Sequence, residues 1–401
     1  MSSTIRVTVR YGADFAEVIR CVPILGPSPE SLIAVDEHSD GAWIEVVTRQ
    51  GRTVYRNTLP DPHGGQEIFS DEGRIDRLPD VPAAHYASLE LPWPGSGAKL
   101  LLHSRSGVTT GLGMGPPPSL RASIPLQPMA IEPMLGADAP PQIRRRSVWG
   151  ANNPNALTLA FFAEGFTSGE LPLFHQMVDR CIAAFETTAP FNRFLGHLSV
   201  AEVDTVSLDS GIKGNEARGT VFKGRFQAGS LERVILIDQT VASKLLDLCF
   251  TRSAVALVVA NTSKYGGSGG AATVFSCEPT WAAEIAMHEL GHSLFGLADE
   301  YDVAGQAATM HPVEPNVCGT AARPGLKWTD LVSPETPLPT QRRGAPVPAG
   351  LPIGAYEGAK YQASGVFRPE FNCKMRTPGE PFCLVCERVI ESRLSVHRPP
   401  S

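Results

Sequence analysis

The sequence predicts a mixed α/β protein in which a β-rich region precedes a region of alternating strands and helices. Residues 1–112 hold short alternating polar and apolar segments between turn-forming clusters, which is typical of an antiparallel β-sandwich. Residues 113–145 are rich in proline and predict an extended linker or wrapping segment. Residues 146–401 alternate strand-like and helix-like stretches, which indicates a domain with helices packed on a sheet.

Five short strands are predicted in the N-terminal region. Their polar and apolar residues alternate, as expected for a sheet with one face in a core and the other in water. Clusters of glycine, proline and aspartate, such as residues 61–65, separate them. The predicted strands are Ile5–Arg10, Trp43–Thr48, Thr53–Asn57, Ala87–Leu91 and Lys99–Ser104.

The C-terminal region begins with a strand and a helix. The apolar run Ala156–Phe162 predicts a buried strand, and apolar residues at helical spacing predict a helix over Ser168–Phe185. Further strands are predicted over Leu198–Val206, Arg233–Ile237 and Val255–Ala260. This alternation predicts a sheet covered by helices.

The sequence His-Glu-Leu-Gly-His at residues 288–292 predicts a metal site. Two histidines four residues apart lie on the same side of a helix, and the carboxylate of Glu289 can reach a water beside them. The helix is predicted from Thr280, as its N-cap, to Phe295. Because both histidines fall on its apolar stripe, they are expected to face the interior, where a metal would use one lone pair from each imidazole.

The third metal ligand is expected just after Gly296, where a left-handed turn can reverse the chain. The metzincin pattern has a ligand three residues after such a glycine, and that position is Asp299 here. The glycine lies one residue later than the pattern requires, so three alternatives stay open: Glu300, His311 and Glu314.

Two histidines and a carboxylate that leave one coordination position open match catalytic rather than structural zinc. Zinc lowers the pKa of a bound water towards neutrality, and Glu289 could accept the proton as general base. The activated water would attack a peptide carbonyl, and Glu289 would pass the proton to the leaving amine. One catalytic zinc per chain is therefore expected.

Residues 288–301 resemble the signature of the IgA-type zinc metallopeptidases. The resemblance extends over roughly residues 150–392, because further blocks follow in the same order and spacing. It implies a zinc endopeptidase with a metzincin-like catalytic domain, a β-rich domain in front of it, and a protein or peptide substrate. The supporting blocks are residues 163–167, 261–270, 354–361, 373–376 and 382–386.

The resemblance also implies roles for glycines and tyrosines around the site. The segment Val255–Asn261, with glycines that include Gly266 and Gly267, would form an edge strand that pairs with an extended substrate. A tyrosine would stabilise the tetrahedral intermediate. The candidates are Tyr301, Tyr356 and Tyr361, and the sequence does not choose among them for this role. Tyr361 is also expected to bind the substrate, together with Gly266 and Gly267.

Met375 and a set of cysteines complete the expected site. Met375 lies in a segment that resembles the methionine-bearing turn beneath the zinc of metzincins, where a soft apolar side chain packs under the imidazoles. Four of the eight cysteines are expected to have a structural role, either as ligands of a second metal or as disulfides. They are Cys318, Cys373, Cys383 and Cys386.

The bulk properties bear on partners and location. The formal net charge of -6 argues against a nucleic-acid partner, and the apolar runs are too short to cross a bilayer. The first ten residues lack the apolar core of a signal peptide. The protein is therefore expected in the cytoplasm, or outside it if an export signal is missing from this sequence.

Two other functions remain as hypotheses. In the first, the protein is a binding or adhesion protein whose zinc is structural and whose β-rich region recognises the partner. The presence of Glu289 disfavours it, because a structural zinc site has no use for a general base. In the second, the same zinc chemistry cleaves an amide bond that is not a peptide bond.

Overall fold

The computed structural model describes a mixed α/β protein, as the sequence predicts. Within the described residues, twenty strands form six sheets, and four α-helices pack against them. The N-terminal β-sandwich and the metzincin-like domain stay predictions. The structure describes residues 4–62, 66–69, 75–78, 84–105, 119–129 and 143–400, without 13, 32, 37, 151, 213, 217–218, 228–232, 279, 308–309 and 341–351.

The N-terminal region consists of antiparallel sheets. Strands β2-β1-β7 form one sheet and β4-β3-β8-β9 another, and their apolar side chains meet in a single buried cluster that includes Val7 and Ile44. A small hairpin, β5-β6, lies between β4 and β7 in the chain. The strands are β1 Thr4–Tyr11, β2 Ala16–Ile24, β3 Gly41–Val47, β4 Thr53–Leu59, β5 Gln66–Phe69, β6 Ile75–Leu78, β7 His85–Pro92, β8 Lys99–Arg105 and β9 Ser119–Pro125.

All five strands predicted for this region are confirmed, and a further strand lies within the segment that was expected to be a linker. Residues 119–125 form β9, which pairs with β8 at the edge of the four-stranded sheet. Pro125 is the last residue of this strand, and because β9 lies at the edge of its sheet, a residue without a backbone N–H is tolerated there. Residues 143–145 are likewise extended, as the start of β10. The parts of the expected linker at 113–118 and 130–142 lie outside the described residues.

A six-stranded sheet organises the C-terminal region, with the order β10-β12-β11-β15-β17-β16. Its four inner strands are parallel, and both edge strands pair antiparallel to their neighbours. Parallel strands need helices on both faces, which explains their nearly continuous apolar sequences. The strands are β10 Ile143–Trp149, β11 Leu157–Glu164, β12 Leu198–Thr205, β15 Ala254–Ala260, β16 Gly267–Ser268 and β17 Ala272–Ser276.

Helices cover the two faces of this sheet. Phe161 of β11 packs into a cluster with α1, α3 and α4, whereas the adjacent Phe162 packs on the opposite face with α2. The helices are α1 Leu171–Thr187, α2 Gln239–Cys249, α3 Ala282–Ser293 and α4 Leu384–Ser395. The remaining strands are β13 Arg225–Phe226, β14 Ile235–Leu236, β18 Asp302–Ala307, β19 Tyr356–Ala359 and β20 Tyr361–Arg368, with 3-10 turns at Phe191–Arg193, Leu195–His197, Arg323–Gly325 and Thr329–Leu331.

Three local predictions for this region are corrected. The segment Val255–Asn261 was expected at an edge, but β15 lies inside the sheet between β11 and β17. The strand predicted over Arg233–Ile237 shortens to β14. Helix α3 begins at Ala282 with Trp281 as its N-cap, and no side chain caps it, so Thr280 is not the N-cap.

Buried ionic contacts join the N-terminal sheets to the C-terminal region. The guanidinium of Arg6 on β1 lies 3.1 Å from the carboxylate of Asp247 on α2, and Arg20 on β2 contacts the same carboxylate at 2.6 Å. Glu90 on β7 accepts a hydrogen bond from the backbone N–H of Ala254 at the start of β15. No helix in the described part of the chain is both long enough and apolar enough to span a membrane.

Candidate active site

Helix α3 brings His288 and His292 together at its buried face. Their rings meet edge to face with centroids 4.8 Å apart, and their Nε2 atoms are 3.0 Å apart. Backbone carbonyls hold both Nδ1 atoms: Lys374 O lies 3.0 Å from that of His288, and Leu297 O lies 2.8 Å from that of His292. Because a carbonyl only accepts hydrogen bonds, each Nδ1 carries the proton, and each Nε2 presents its lone pair to the other ring.

The chain reverses after α3 and returns Asp299 to the histidines. Gly296 has a φ of 66°, a left-handed conformation that glycine adopts without strain, and its N–H donates to His292 O. Asp299 Oδ1 then lies 3.4 Å from His288 Nε2 and 3.3 Å from His292 Nε2. The ligand atoms of these three side chains all lie within 4.8 Å of one another, which is the spacing of a metal site.

The other residues considered as third ligand lie elsewhere. The carboxylate of Glu300 points into a cluster of cysteines, and Glu314 accepts hydrogen bonds from the buried ammonium of Lys360 at 2.7 and 2.8 Å. The ring of His311 lies beside that of His38. Among the described residues, Asp299 is therefore the acidic side chain that the structure groups with both histidines.

Glu289 lies next to the glycine-rich stretch that follows β15. Its side chain is buried, and a Cβ atom on Gly269 would be 3.1 Å from its Oε2. Gly267 donates to Arg233 O at 3.2 Å, and a Cβ on Gly266 would be 2.6 Å from the same carbonyl oxygen. The glycine beside Glu289 is thus Gly269, which the sequence did not single out among several neighbouring glycines. Substrate binding by Gly266 and Gly267 stays a prediction.

Met375 packs beneath the motif helix. Its side chain is fully buried, and a Cβ on Gly291 would lie 2.5 Å from the sulfur and 3.0 Å from the terminal methyl. The glycine of the motif is therefore needed for close approach of this methionine. The backbone around Met375 also holds the site, because Met375 O accepts the N–H of Glu300 at 2.7 Å, next to the contact between Lys374 O and His288.

Of the three candidate tyrosines, Tyr361 directly contacts Asp299. Its hydroxyl donates to Asp299 Oδ2 at 2.5 Å, and Tyr301 packs edge-on against its ring. A left-handed turn between β19 and β20 directs it there, with φ of 46° at Lys360 and 67° at Tyr361. The hydroxyl of Tyr356 instead donates to the carbonyl of Pro352, which precedes β19.

A second group of ligands, the cysteine group, lies on the other side of the same backbone. It consists of Cys373, Cys383, Cys386 and Glu300, all buried, with ligand atoms within 4.8 Å of one another. Cys318, which the sequence placed with these cysteines, instead has its sulfur 3.4 Å from Gly325 O. Glu300 takes its place, and no spacing rule for cysteines could have indicated a carboxylate.

Burial acts on the ionisation of the cysteine group. It raises the pKa values of the Cys383 and Cys386 thiols and of the Glu300 carboxyl well above their ordinary values. Burial would raise the pKa of Cys373 too, but hydrogen bonds from the other two thiols hold that pKa well below its ordinary value. The cluster therefore favours a thiolate at Cys373, the form in which cysteine binds metals.

The fold and the site define a class of protein: a mixed α/β protein with a candidate metal site, formed by a helix-borne histidine pair and a nearby carboxylate, and with a further acidic side chain between the histidines in sequence. A family model described as IgA Peptidase M64 matches residues 149–347 and 344–394. The chain belongs to this family and is therefore a metallopeptidase, which confirms the resemblance found in the sequence. A comparison with curated proteins found no match.

Proposed function

We propose that this protein is a zinc-dependent endopeptidase in which His288, His292 and Asp299 bind the metal and Glu289 is the general base. The observation that carries the proposal is the convergence of two Nε2 atoms and one carboxylate oxygen at 3.0 to 3.4 Å. A tetrahedral zinc with ligands at about 2.0–2.1 Å would separate them by about 3.3 Å. The three donors match that arrangement.

The tautomers of the histidines support a cation between them. Both Nδ1 atoms face carbonyls, so two Nε2 lone pairs point at each other at 3.0 Å and towards the oxygen of Asp299. Electron pairs held this close repel one another unless a positive charge lies between them. Imidazole nitrogen and carboxylate oxygen are donors that zinc accepts readily.

The chain's own groups then supply proton transfer and orientation. Zinc held by these residues would lower the pKa of a coordinated water and polarise the substrate carbonyl. Glu289, buried next to Gly269, accepts the proton of the attacking water and transfers it to the leaving amine. Tyr361 fixes the orientation of Asp299 through its hydroxyl, and we assign it this positioning role before any contact with the substrate.

We further propose that the domain is metzincin-like and that the N-terminal sheets form an accessory β-sandwich. The turn at Gly296, the returning Asp299 and the methionine beneath Gly291 support the first assignment. The cluster shared by the two antiparallel N-terminal sheets supports the second. Gly266 and Gly267 would act by shaping the edge strand β16 beside the substrate.

Replacement of Glu289 tests the mechanism most directly. Glu289→Gln keeps the size of the side chain but removes the base, so kcat on a mixed-sequence peptide library should fall by about 10²- to 10⁴-fold. One zinc at the histidine ligands should remain, as measured by elemental analysis. The exposed Glu278, just before α3, supplies the matched control Glu278→Gln, which should cleave like the parent.

Three results would overturn this proposal. Cleavage by Glu289→Gln at the parental rate would exclude Glu289 as the base. A parental protein that binds zinc through His288 and His292 yet cleaves no peptide would favour the binding or adhesion hypothesis. Cleavage confined to amide bonds that are not peptide bonds would favour the hypothesis of a non-peptide substrate.

A further inference from the structure

We infer that the protein holds a second metal ion, a structural zinc bound by Cys373, Cys383, Cys386 and Glu300. This site is separate from the proposed catalytic one and uses none of its ligands. Its four side chains come from three parts of the chain: the turn after α3, the segment before α4 and the first turn of α4. They surround one point in the interior.

The distances within the cysteine group are those of a tetrahedral zinc site. The sulfur atoms of Cys373 and Cys386 are 3.9 Å apart. Glu300 Oε1 lies 3.6 Å from the sulfur of Cys383 and 3.3 Å from that of Cys386. For zinc–sulfur and zinc–oxygen bonds of about 2.3 and 2.1 Å, tetrahedral geometry requires about 3.8 Å between sulfurs and about 3.6 Å from sulfur to oxygen.

The surroundings of Glu300 call for a positive charge. Its carboxylate is fully buried, Oε1 accepts a hydrogen bond from the neutral amide of Asn316, and Oε2 has no hydrogen-bond partner. Among the residues that the structure describes, no lysine or arginine forms an ion pair with it. A buried carboxylate left in this state is strongly unfavourable, whereas a metal ion would neutralise it together with the thiolates.

Backbone N–H groups are already directed at the sulfur atoms. Cys383 N donates to the sulfur of Cys373 at 3.3 Å, and Cys386 N donates to that of Cys383 at 3.5 Å. Cys383 is the N-cap of α4, where the helix dipole favours a thiolate. Such hydrogen bonds are typical of the shell around metal-bound thiolates.

A disulfide fits this cluster less well than a metal. All eight cysteines are free thiols in the structure, and 3.9 Å between Cys373 and Cys386 is almost twice a sulfur–sulfur bond of about 2.05 Å. Any one disulfide would also leave the third cysteine and the carboxylate of Glu300 buried together without a cation. Three thiolates and one carboxylate select zinc over the hard cations, which prefer oxygen alone.

The position of this ion gives it a role in the neighbouring site. Glu300 directly follows Asp299, and Met375 O accepts the N–H of Glu300. Lys374 O holds the ring of His288. An ion that fixes Cys373 and Glu300 therefore holds both the segment beneath the histidines and the loop that carries Asp299.

Metal content separates the two sites. The parent, produced with zinc and purified with a reductant, should contain two zinc ions per chain. His288→Ala/His292→Ala should retain one, and its zinc X-ray absorption spectrum should show three sulfur ligands at about 2.3 Å and one oxygen. Cys383→Ser/Cys386→Ser should lose that ion, whereas Cys249→Ser, at a half-buried cysteine outside the group, should keep both.

The histidine variant keeps the inference testable even if the cysteine variant does not fold. No metal in His288→Ala/His292→Ala, or a zinc spectrum without sulfur, would overturn the second site and leave the proposed peptidase mechanism untouched. A disulfide among Cys373, Cys383 and Cys386 in the reduced parent, found by mass spectrometry of the intact chain, would also overturn it. Failure of the peptidase proposal alone would appear as sulfur-bound zinc without cleavage.

Discussion

The two groups of ligands share a stretch of backbone but differ in exposure and in donor chemistry. The histidine group (His288, His292 and Asp299) has nitrogen and oxygen donors, and the side chain of His292 is 19% exposed. The cysteine group is buried at all four positions and has three sulfur donors. Catalytic zinc needs an open position for water, whereas structural zinc is enclosed by four protein ligands. The difference therefore supports the proposed catalytic role of the first group and the proposed structural role of the second.

Two consecutive residues connect these groups. The loop after Gly296 sends the side chain of Asp299 to the histidines and that of Glu300 to the cysteines. The segment at 373–376 repeats this division, with Cys373 in one group and Lys374 O on His288 of the other. We therefore expect a change in the cysteine group to affect the histidine group more than a change in the histidine group affects the cysteine group.

The largest expected effect is the order in which a chelator removes the two ions. The partly exposed histidine group should lose its metal first, with complete loss of cleavage while the cysteines stay unreactive towards a thiol reagent. Loss of the enclosed ion should follow, and it should lower the free energy of unfolding by about 4 kcal/mol, the linkage expected for a ligand at about a thousand times its Kd. Timed assays of activity, thiol reactivity and denaturant unfolding would measure both phases. If the thiols become reactive at the same rate as cleavage is lost, the expected difference in metal release between the histidine group and the cysteine group is wrong.

The next effect concerns the histidine group alone. Tyr361→Phe removes the hydroxyl that donates to Asp299, so zinc affinity at the histidine group should fall by about 10- to 100-fold while the cysteine group keeps its ion. Competition with a chromophoric chelator would measure it. Tyr356→Phe is the matched control, because its hydroxyl donates to a carbonyl outside both groups. Equal affinities for the two variants would rule out the positioning role of Tyr361.

The smallest effect tests the packing between the two groups. Gly291→Ala adds a methyl group against the buried Met375. Overpacking should lower the free energy of unfolding by about 2 kcal/mol, and the better helix propensity of alanine should raise it by about 1 kcal/mol, so the net loss is about 1 kcal/mol. In a Met375→Ala background the overpacking disappears, so the same substitution should stabilise the protein. Denaturant unfolding of the four proteins gives the coupling. Additive effects would show that the methionine does not support the helix.

Much of the fold and part of the candidate site could be predicted. The five alternating strands were found because one face of each strand meets a core, and the histidine spacing identified the helix of the site. β9 was missed because its segment of the sequence is rich in proline. Its backbone hydrogen bonds are made with β8, and the local sequence pattern of β9 does not show that pairing. The interior position of β15 was missed because strand order depends on pairing partners and not on the strand's own sequence.

The sequence alone determined the class of protein and the residues able to bind metal, because helical periodicity and side-chain chemistry are local properties. The tertiary structure decided how those residues are divided. Asp299 and Glu300 are adjacent acidic residues that the sequence offers as first choice and alternative for the third ligand, and the turn at Gly296 and the pairing of the chain with Met375 send one to each group. Distances between groups far apart in the chain come from packing, which no local pattern contains.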